Sequence, residues 1–360
     1  MRIHLVDPPA FTPPYDHALA AALARAGADV QLITSRFAYG EVPAPEGYVR
    51  RELFYRRAVG AAGSRLRRWS KLAAHVPDMW RYRAAAAAAD VVHFQWLTAP
   101  VLDLPLLPRR PLLLTAHDLL PREPRPGQIA AQRRLFERVD AIVVHSEYGR
   151  RQLVERLGVA AEKVSVIRHG AFAPAGAPAA LPVEIADDGR PVVLMFGLLR
   201  PYKGLDTLLA AWRGVEGAQL WIVGRPMMAL PPVSDGATLI PRFVTSEEAE
   251  ALIGRADIVV LPYTRTERFD MSGVLAAALG AGRASVLSDI GGFSEVADIG
   301  AARLVPPGDA EALRAALALL VTDAGERERL GAAALAAARG PYSWDEAARA
   351  TIALYERVRR

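Results

Sequence analysis

Short apolar runs alternate with amphipathic helical patterns along almost the whole chain, and this alternation limits the fold more than any other feature. In the first half, strands are predicted near 2–7, 29–34, 90–95, 111–116, 141–145 and 164–168. In the second half, strands are predicted near 192–196, 218–223, 237–243, 257–261, 284–288 and 302–305. Strands that alternate with helices run parallel. The pattern therefore predicts an α/β fold with two doubly wound units of six strands each.

The helical patterns of the first half fall near 16–26, 64–75, 78–89, 128–138 and 148–157. A stretch rich in Ala, Pro and Gly at 173–189 predicts a linker. We therefore expect a first domain over 1–172 and a second over 190–340. A final helical segment follows at 341–360.

Composition removes several classes of protein. The chain has 360 residues and no cysteine, which excludes a disulfide scaffold, a zinc finger and a cysteine nucleophile. We find no signal-like segment and no run of about 18 apolar residues, so we expect a cytoplasmic protein. The first 170 residues carry a net charge of +9 and the remainder −4. The basic half has no nucleic-acid recognition motif, so no nucleic-acid partner is expected.

An anion site is predicted at one edge of the second sheet. Arg200 and Lys203 lie between a strand and a helix, where two cations are unfavourable unless an anion is bound. With the common strand order, this loop lies beside the helix that starts near Ser272 and Gly273. Free backbone N–H groups and two cations would suit a diphosphate. The alternatives are solvated loop charges and an ordinary Ser N-cap.

Four stretches of the chain together resemble glycosyltransferase family 4, whose members are retaining enzymes with the GT-B fold. These are FGLLRPYKGLDTLLAAW (196–212), 141–172, ADIVVLPYTRTERFDMSGVLAAALGAGRASVLSDIGGFSEV (256–296) and YSWDEAARATIALYERV (342–358). The resemblance implies two Rossmann-like domains that face a central cleft, with the C-terminal helix crossing back to the first domain.

The resemblance also implies a metal-independent reaction with a nucleoside-diphosphate sugar of the UDP or GDP type, and no further cofactor. The family's donor-binding positions correspond here to Gly197, Lys203, Ser272, Gly273 and Val274. The family's arginine directly follows the loop glycine. This chain has Leu198 there, and Arg200 is the expected substitute.

The chain departs from the family in the acidic pair of its donor loop. The two glutamates of the family fall at Phe269 and Ala277, neither of which is acidic. Glu267 or Asp270 is a candidate replacement for the first, and a solvated loop carboxylate is the alternative. Glu295 matches a family position near the nucleotide, although an acidic residue in a first helical turn is also simply favourable.

In the first domain, His117 follows a strand and resembles the family's histidine that faces the donor sugar. We expect it to orient the sugar or polarise a hydroxyl. A structural histidine is the alternative, which we prefer for His93 and His169. The proline-rich loop after the first strand makes Tyr15, Asp16 and His17 candidates for contact with the acceptor or donor.

Two other functions remain open at this point. A GT-B epimerase would convert a sugar nucleotide without any acceptor. A non-catalytic protein would bind the donor and neither transfer nor hydrolyse the sugar, which the missing glutamates would explain.

The segment 50–83 holds ten Arg or Lys residues and only two acidic ones. Leu66, Trp69 and Leu72 recur at helical spacing with cations beside them, as in a helix that lies on an anionic membrane surface. The alternative is that this apolar face packs on the domain core. A small-molecule, glycan or lipid-linked acceptor would fit the charge, and peripheral contact with the inner membrane face is one hypothesis.

Overall fold

The computed structural model describes residues 1–97, 99–120, 126–174, 176, 180–233, 236–264 and 270–360. The chain folds as two compact units. The first contains residues 1–170, Asp270 and Trp344–Arg360. The second contains the remaining described residues, in 171–264 and 271–343.

The first unit is built on a sheet of seven parallel strands in the order β3-β2-β1-β4-β5-β6-β7. The strands are β1 (Arg2–Asp7), β2 (Asp29–Ser35), β3 (Val49–Phe54), β4 (Val91–Phe94), β5 (Leu112–Thr115), β6 (Ala141–Val144) and β7 (Val164–Val166). Six of them are the predicted ones. The expectation of six strands is wrong for this unit because β3, an edge strand with Arg50, Arg51 and Glu52, has no apolar run.

Helices cover the two faces of this sheet. They are α1 (Pro13–Arg25), α2 (Arg65–Ala85), α3 (Pro100–Asp103), α4 (Gln128–Arg138), α5 (Glu147–Arg151) and, from the end of the chain, α12 (Trp344–Arg359). The prediction of two helices at 64–75 and 78–89 is wrong. A single helix, α2, contains Pro77, which is exposed to solvent.

The helix α12 packs beside α1 in the first unit. The Tyr355 hydroxyl lies 2.7 Å from His93 Nδ1, and the Trp344 ring contacts the Tyr15 ring at 5.1 Å. Both tyrosines are buried. The last helix therefore completes the interior of the first unit.

The second unit has six parallel strands in the order β10-β9-β8-β11-β12-β13. They are β8 (Val192–Phe196), β9 (Gln219–Val223), β10 (Ala237–Ile240), β11 (Ile258–Leu261), β12 (Ala284–Ser288) and β13 (Arg303–Val305). All six are the predicted strands. The winding reverses between β8 and β11, which pair directly.

The helices of the second unit are α6 (Leu205–Trp212), α7 (Ser246–Arg255), α8 (Gly273–Gly280), α9 (Phe293–Asp298), α10 (Ala310–Thr322) and α11 (Ala324–Arg339). A buried apolar core lies between the sheet and these helices and includes Leu194, Leu208, Trp221 and Leu317. In the described part of the chain, no helix has the length and apolar character needed to cross a membrane.

Candidate active site

In the second unit, the loop after β8 places the predicted glycine and lysine against α8. Gly197 has a φ of +101°, a region that favours glycine. A Cβ at this position would lie 3.2 Å from Lys203 Nζ and 3.3 Å from Val274 Cγ2. The structure therefore brings Gly197, Lys203 and Val274 together at the point where the winding reverses.

Tyr263, which follows β11, connects several members of this site. The buried Lys203 has its ammonium nitrogen 5.0 Å from the centre of the Tyr263 ring. The Tyr263 hydroxyl lies 3.2 Å from Ser272 Oγ, and the Phe293 ring contacts the Tyr263 ring at 5.4 Å. Tyr263 thus fixes the loop after β8 relative to the first turns of α8 and α9.

Arg200 and Ser272 leave donors at this site that the described residues do not satisfy. Arg200 is half-buried, and its Nε is a buried donor with no partner among the described residues. Ser272 precedes α8 but its side chain does not cap the helix, so the first backbone N–H groups lack the usual acceptor. Gly273, next in the chain, is exposed. The site is rich in unsatisfied donors, as an anion site requires.

The acidic candidates lie in different places. Glu295 is half-buried in the first turn of α9, which follows β12 at the same sheet edge as the loops after β8 and β11. Asp270 belongs to the first unit, where its carboxylate accepts hydrogen bonds from the His145 backbone N–H (2.6 Å) and from the Ser146 hydroxyl. Glu267 and Phe269 lie outside the described residues. Ala277 is half-buried on α8.

In the first unit, His117 follows β5 and is surrounded by rings. The Tyr15 ring contacts it edge-on at 4.7 Å, and the Trp96 ring stacks on it at 5.1 Å. Trp96 is held in turn by a 3.0 Å hydrogen bond from its Nε1 to Thr12 Oγ1. Tyr15 is buried and His117 half-buried. Tyr15, Asp16 and His17 lie on α1 and not in a loop after β1, and Tyr15 is the candidate that contacts the predicted catalytic histidine.

A second histidine sets the tautomer of His117. His145 Nδ1 lies 2.9 Å from the Ile167 carbonyl. A carbonyl only accepts, so Nδ1 carries the proton and Nε2 of the neutral ring accepts. His117 Nδ1, 3.3 Å from that Nε2, must therefore donate. The neutral His117 ring then presents an unprotonated Nε2.

The hydrogen bonding of the Gln95 side chain agrees with this assignment of protons to the Nδ1 atoms of His117 and His145. Its side-chain amide lies 3.2 Å from His117 Nε2. Turning the amide so that its NH₂ faces the ring gives the buried Gln95 nitrogen, which otherwise has no partner among the described residues, a hydrogen bond.

Four histidines cluster in this part of the first unit, and all are held neutral. The His145 ring lies 5.2 Å from that of His117 and 5.3 Å from that of His169. Burial lowers the pKa of His93 and His169 to about 3 and that of His145 to about 4. Burial and the neighbouring rings also lower the pKa of His117. A neutral His117 can donate or accept a hydrogen bond but carries no positive charge.

The other two candidates on α1, Asp16 and His17, have partners elsewhere. Asp16 is buried, and Thr12 Oγ1 lies 3.5 Å from its Oδ1. Burial and the charge of Asp7 raise the pKa of Asp16. His17 Nδ1 lies 2.9 Å from the Tyr48 hydroxyl. The structure therefore does not bring Asp16 or His17 into contact with His117.

Sequence reasoning missed His145, Trp96 and Tyr263. A signal for the histidines was present, since β4, β5, β6 and β7 each carry or precede one histidine at the carboxyl edge. The register pairs Thr115 with Val143, which places His117 level with His145. Within the described residues, no group of three or more His, Asp or Glu side chains is arranged to hold a metal ion.

The sequence matches two family models over most of its length. The one described as Glycosyltransferase Family 4 covers residues 15–171, and the one described as Glycosyl transferases group 1 covers 190–323. The chain belongs to glycosyltransferase family 4. It is therefore a transferase, which disfavours both an epimerase and a non-catalytic binding protein.

Similar proteins support this assignment. A D-inositol 3-phosphate glycosyltransferase of Kineococcus radiotolerans is 27% identical, with 94% of this chain and 88% of that protein covered. Sucrose-phosphate synthase of Thermosynechococcus elongatus has a TM-score of 0.75 at 20% identity, covering 99% and 98% of the two chains. Anabaena HepE in complex with UDP and glucose has a TM-score of 0.74 at 17% identity, covering 99% and 100%. The predicted GT-B fold of this family 4 enzyme is confirmed.

Proposed function

We propose that this glycosyltransferase moves a sugar, with retention of configuration, from a nucleoside-diphosphate sugar of the UDP or GDP type to an acceptor hydroxyl. The observation that carries the proposal is the set of cationic and N–H donors at the point where the winding reverses between β8 and β11. It consists of the buried Lys203, the Nε of Arg200, which has no partner among the described residues, and the N-terminus of α8, which the Ser272 side chain does not cap. The similarity to a protein solved with UDP and glucose supports the same donor class.

The chemical role of this cluster follows from the charge of the leaving group. When the bond between the sugar and the diphosphate breaks, negative charge develops on the phosphate oxygen. Fixed donors at that oxygen stabilise the transition state more than the ground state, which raises the rate. In our proposal Gly197, Lys203 and Arg200 bind the diphosphate with the backbone N–H groups of Gly273 and Val274. Two cations and a helix dipole replace a metal ion, and no cofactor takes part.

His117 supplies the remaining group. When substrate binds, its unprotonated Nε2 exchanges the Gln95 amide for a hydroxyl of the donor sugar or of the acceptor, accepts a hydrogen bond from it, and so orients the reacting molecule. His145 holds the tautomer that makes this possible. In this proposal the acceptor hydroxyl attacks on the face from which the diphosphate leaves, with no covalent enzyme intermediate. Glu295 is assigned to the nucleotide end of the donor.

The exposed face of α2 extends the proposal to where the enzyme acts. Trp69 and Trp80 are 70% and 68% exposed, and Leu66, Leu72 and Val76 are exposed on the same helix. The alternative that this apolar face packs on the domain core is therefore wrong. Cations flank this apolar face of α2, and each contributes about 1 kcal/mol of attraction to an anionic lipid surface. We infer that α2 lies on anionic membrane as a peripheral contact.

Kinetics of two variants test the donor assignment. We expect Lys203→Ala or Arg200→Ala to lower kcat/KM at least tenfold, about 1.4 kcal/mol of transition-state stabilisation. Arg213→Ala removes an exposed cation of the same unit outside the site and serves as the control, with unchanged kinetics. Normal activity in both site variants would refute the assignment. Sugar-nucleotide turnover without an acceptor would instead indicate an epimerase, and donor binding without transfer or hydrolysis a non-catalytic protein.

A further inference from the structure

The first unit contains a pocket of about 520 Å³ that the proposed chemistry does not use. Its walls are the residues that follow β2 and β3 and the first two turns of α2. The volume lies within the range of small-molecule sites. Ligands of parallel α/β sheets bind at the carboxyl ends of the strands, and this pocket is at that edge of the seven-stranded sheet.

The walls of the pocket are strongly basic. Arg36, Arg56, Arg67 and Lys71 line it, and Glu52 is the acidic residue among the lining side chains. No carboxylate in the described ranges lies within ion-pair distance of any of these four cations. The guanidinium of Arg67 instead donates to the Gly60 carbonyl at 3.3 Å. Four cations around one cavity repel each other unless an anion is bound.

Lys71 is a partly buried cation among these residues. The ammonium is half-buried and lies 4.9 Å from the centre of the Tyr55 ring. Burial lowers the pKa of Lys71, and the charge of Arg67 lowers it further. An anionic ligand beside Lys71 would favour its charged form.

Tyr55 lines the pocket and has a strained backbone conformation. Its φ is +55°, which is uncommon for a residue other than glycine. The surroundings hold it there. The Asp78 carboxylate accepts from the Tyr55 backbone N–H at 2.7 Å, and the Tyr55 hydroxyl lies 2.7 Å from His75 Nδ1. His75 Nε2 is 2.6 Å from Asp103, and His75, Asp78 and Asp103 are all buried. Strain that is held by buried partners marks functional sites.

The position of the pocket relates it to His117 in the same sheet. Strand β2 and strand β5 are separated by β1 and β4, so their carboxyl ends lie about 14 Å apart at the usual spacing of strands. An acceptor molecule could place one end in the pocket and a hydroxyl near His117 if these two parts are separated by a comparable distance.

We propose that this pocket binds a phosphate ester carried by the acceptor, so that the enzyme selects phosphorylated acceptors. The proposal rests on the proposed function, because it assigns the acceptor of that reaction. The arginines offer the forked N–H donors that match phosphate oxygens, and Lys71 adds a compact charge. A free phosphomonoester and the phosphate of a lipid headgroup share this chemistry.

Binding of glycerol 3-phosphate tests the proposal directly. Equilibrium dialysis is carried out with UDP in excess, so that a second anion site cannot bind the probe, and with glycerol as the uncharged control. We expect the Kd of glycerol 3-phosphate to rise at least tenfold in Arg67→Ala/Lys71→Ala. The same rise is expected in Arg36→Ala/Arg56→Ala, whose exposed side chains can be removed without disturbing the core. Arg133→Ala/Arg134→Ala removes two exposed cations of α4 and should change the Kd less than twofold.

Equal affinity in all these proteins, or an equal loss in the α4 control, overturns the proposal. Vesicles of phosphatidylglycerol identify the source of the phosphate. If the pocket variants lose vesicle binding and glycerol 3-phosphate competes with the vesicles for the wild type, the ester belongs to a lipid headgroup. If only the soluble ester depends on the pocket, the acceptor is a soluble phosphate ester. UDP affinity is measured separately, so a failure of the donor assignment is distinguishable from a failure of this one.

Discussion

Acid should destabilise this enzyme steeply through its buried histidines. His93, His145 and His169 are each less than a tenth exposed, with pKa values of about 3, 4 and 3. In the unfolded chain a histidine titrates near 6.5. Between the two values the unfolded chain binds more protons than the folded one. The contribution of these histidines to the free energy of unfolding is therefore fully present above pH 6.5. It is lost as the pH falls toward their pKa values in the folded protein.

The size of the loss follows from the number of histidines. Each contributes about 1.4 kcal/mol for each pH unit below 6.5, so the three together cost about 4 kcal/mol between pH 7.5 and 5.5. That is a large part of the total stability of a typical protein. Asp16 opposes this loss, because its pKa is raised. The histidine contribution is therefore best isolated by comparing the pH dependence of the unfolding free energy in the wild type and in a histidine variant.

The assay is urea unfolding at several pH values for the wild type and for His169→Asn. His169 Nδ1 donates to the Gly170 carbonyl at 2.8 Å, and the asparagine amide keeps a donor near that position. We expect the unfolding free energy of the variant to depend less steeply on pH, by about 1.4 kcal/mol per pH unit between 6 and 4.5. Equal slopes in the two proteins would refute the reasoning, because they would mean that His169 is not held neutral.

Three more predictions follow from other parts of the molecule. Asp16→Asn should raise the melting temperature more at pH 8 than at pH 5, because burial beside Asp7 opposes ionisation of Asp16; a benefit confined to acid would contradict this. EDTA should leave kcat unchanged, and activity lost in EDTA and restored by Mg²⁺ or Mn²⁺ would disprove metal independence. Trp69→Ala/Trp80→Ala should reduce co-sedimentation with phosphatidylglycerol vesicles at low salt, whereas Val183→Ala, another exposed apolar position, should not; equal sedimentation would exclude the α2 contact.

The sheets could be predicted from the sequence because most of their strands are continuous apolar runs buried on both faces. The exception shows the limit of that signal. Strand β3 lies at the edge of its sheet, where Arg51 and Glu52 are exposed to solvent, so its composition resembles that of a loop. Charged residues on edge strands also discourage pairing with other chains.

Helix α2 shows a different limit. The periodicity of the α2 sequence correctly predicted that the helix has an apolar face. It did not show which face of the helix is buried. The buried residues of α2 are His75, Asp78, Met79 and Tyr82. Of these, His75 and Asp78 are polar, and both are hydrogen-bonded to Tyr55. A helix can bury polar side chains where partners satisfy them, and those partners lie far away in sequence. The same reason hid the contact between His117 and His145, which only strand register reveals.

The first unit is assembled from separate segments of the chain, and this has a consequence for engineering. Residues 1–170 do not contain all of it, since Asp270 and α12 also belong to it. A fragment that ends at Gly170 would leave the His145 N–H and the Ser146 hydroxyl without their carboxylate and would expose the surfaces that contact Trp344 and Tyr355. A chimaera with a related enzyme therefore has to exchange three stretches of sequence together, and a single crossover at the linker would join mismatched halves.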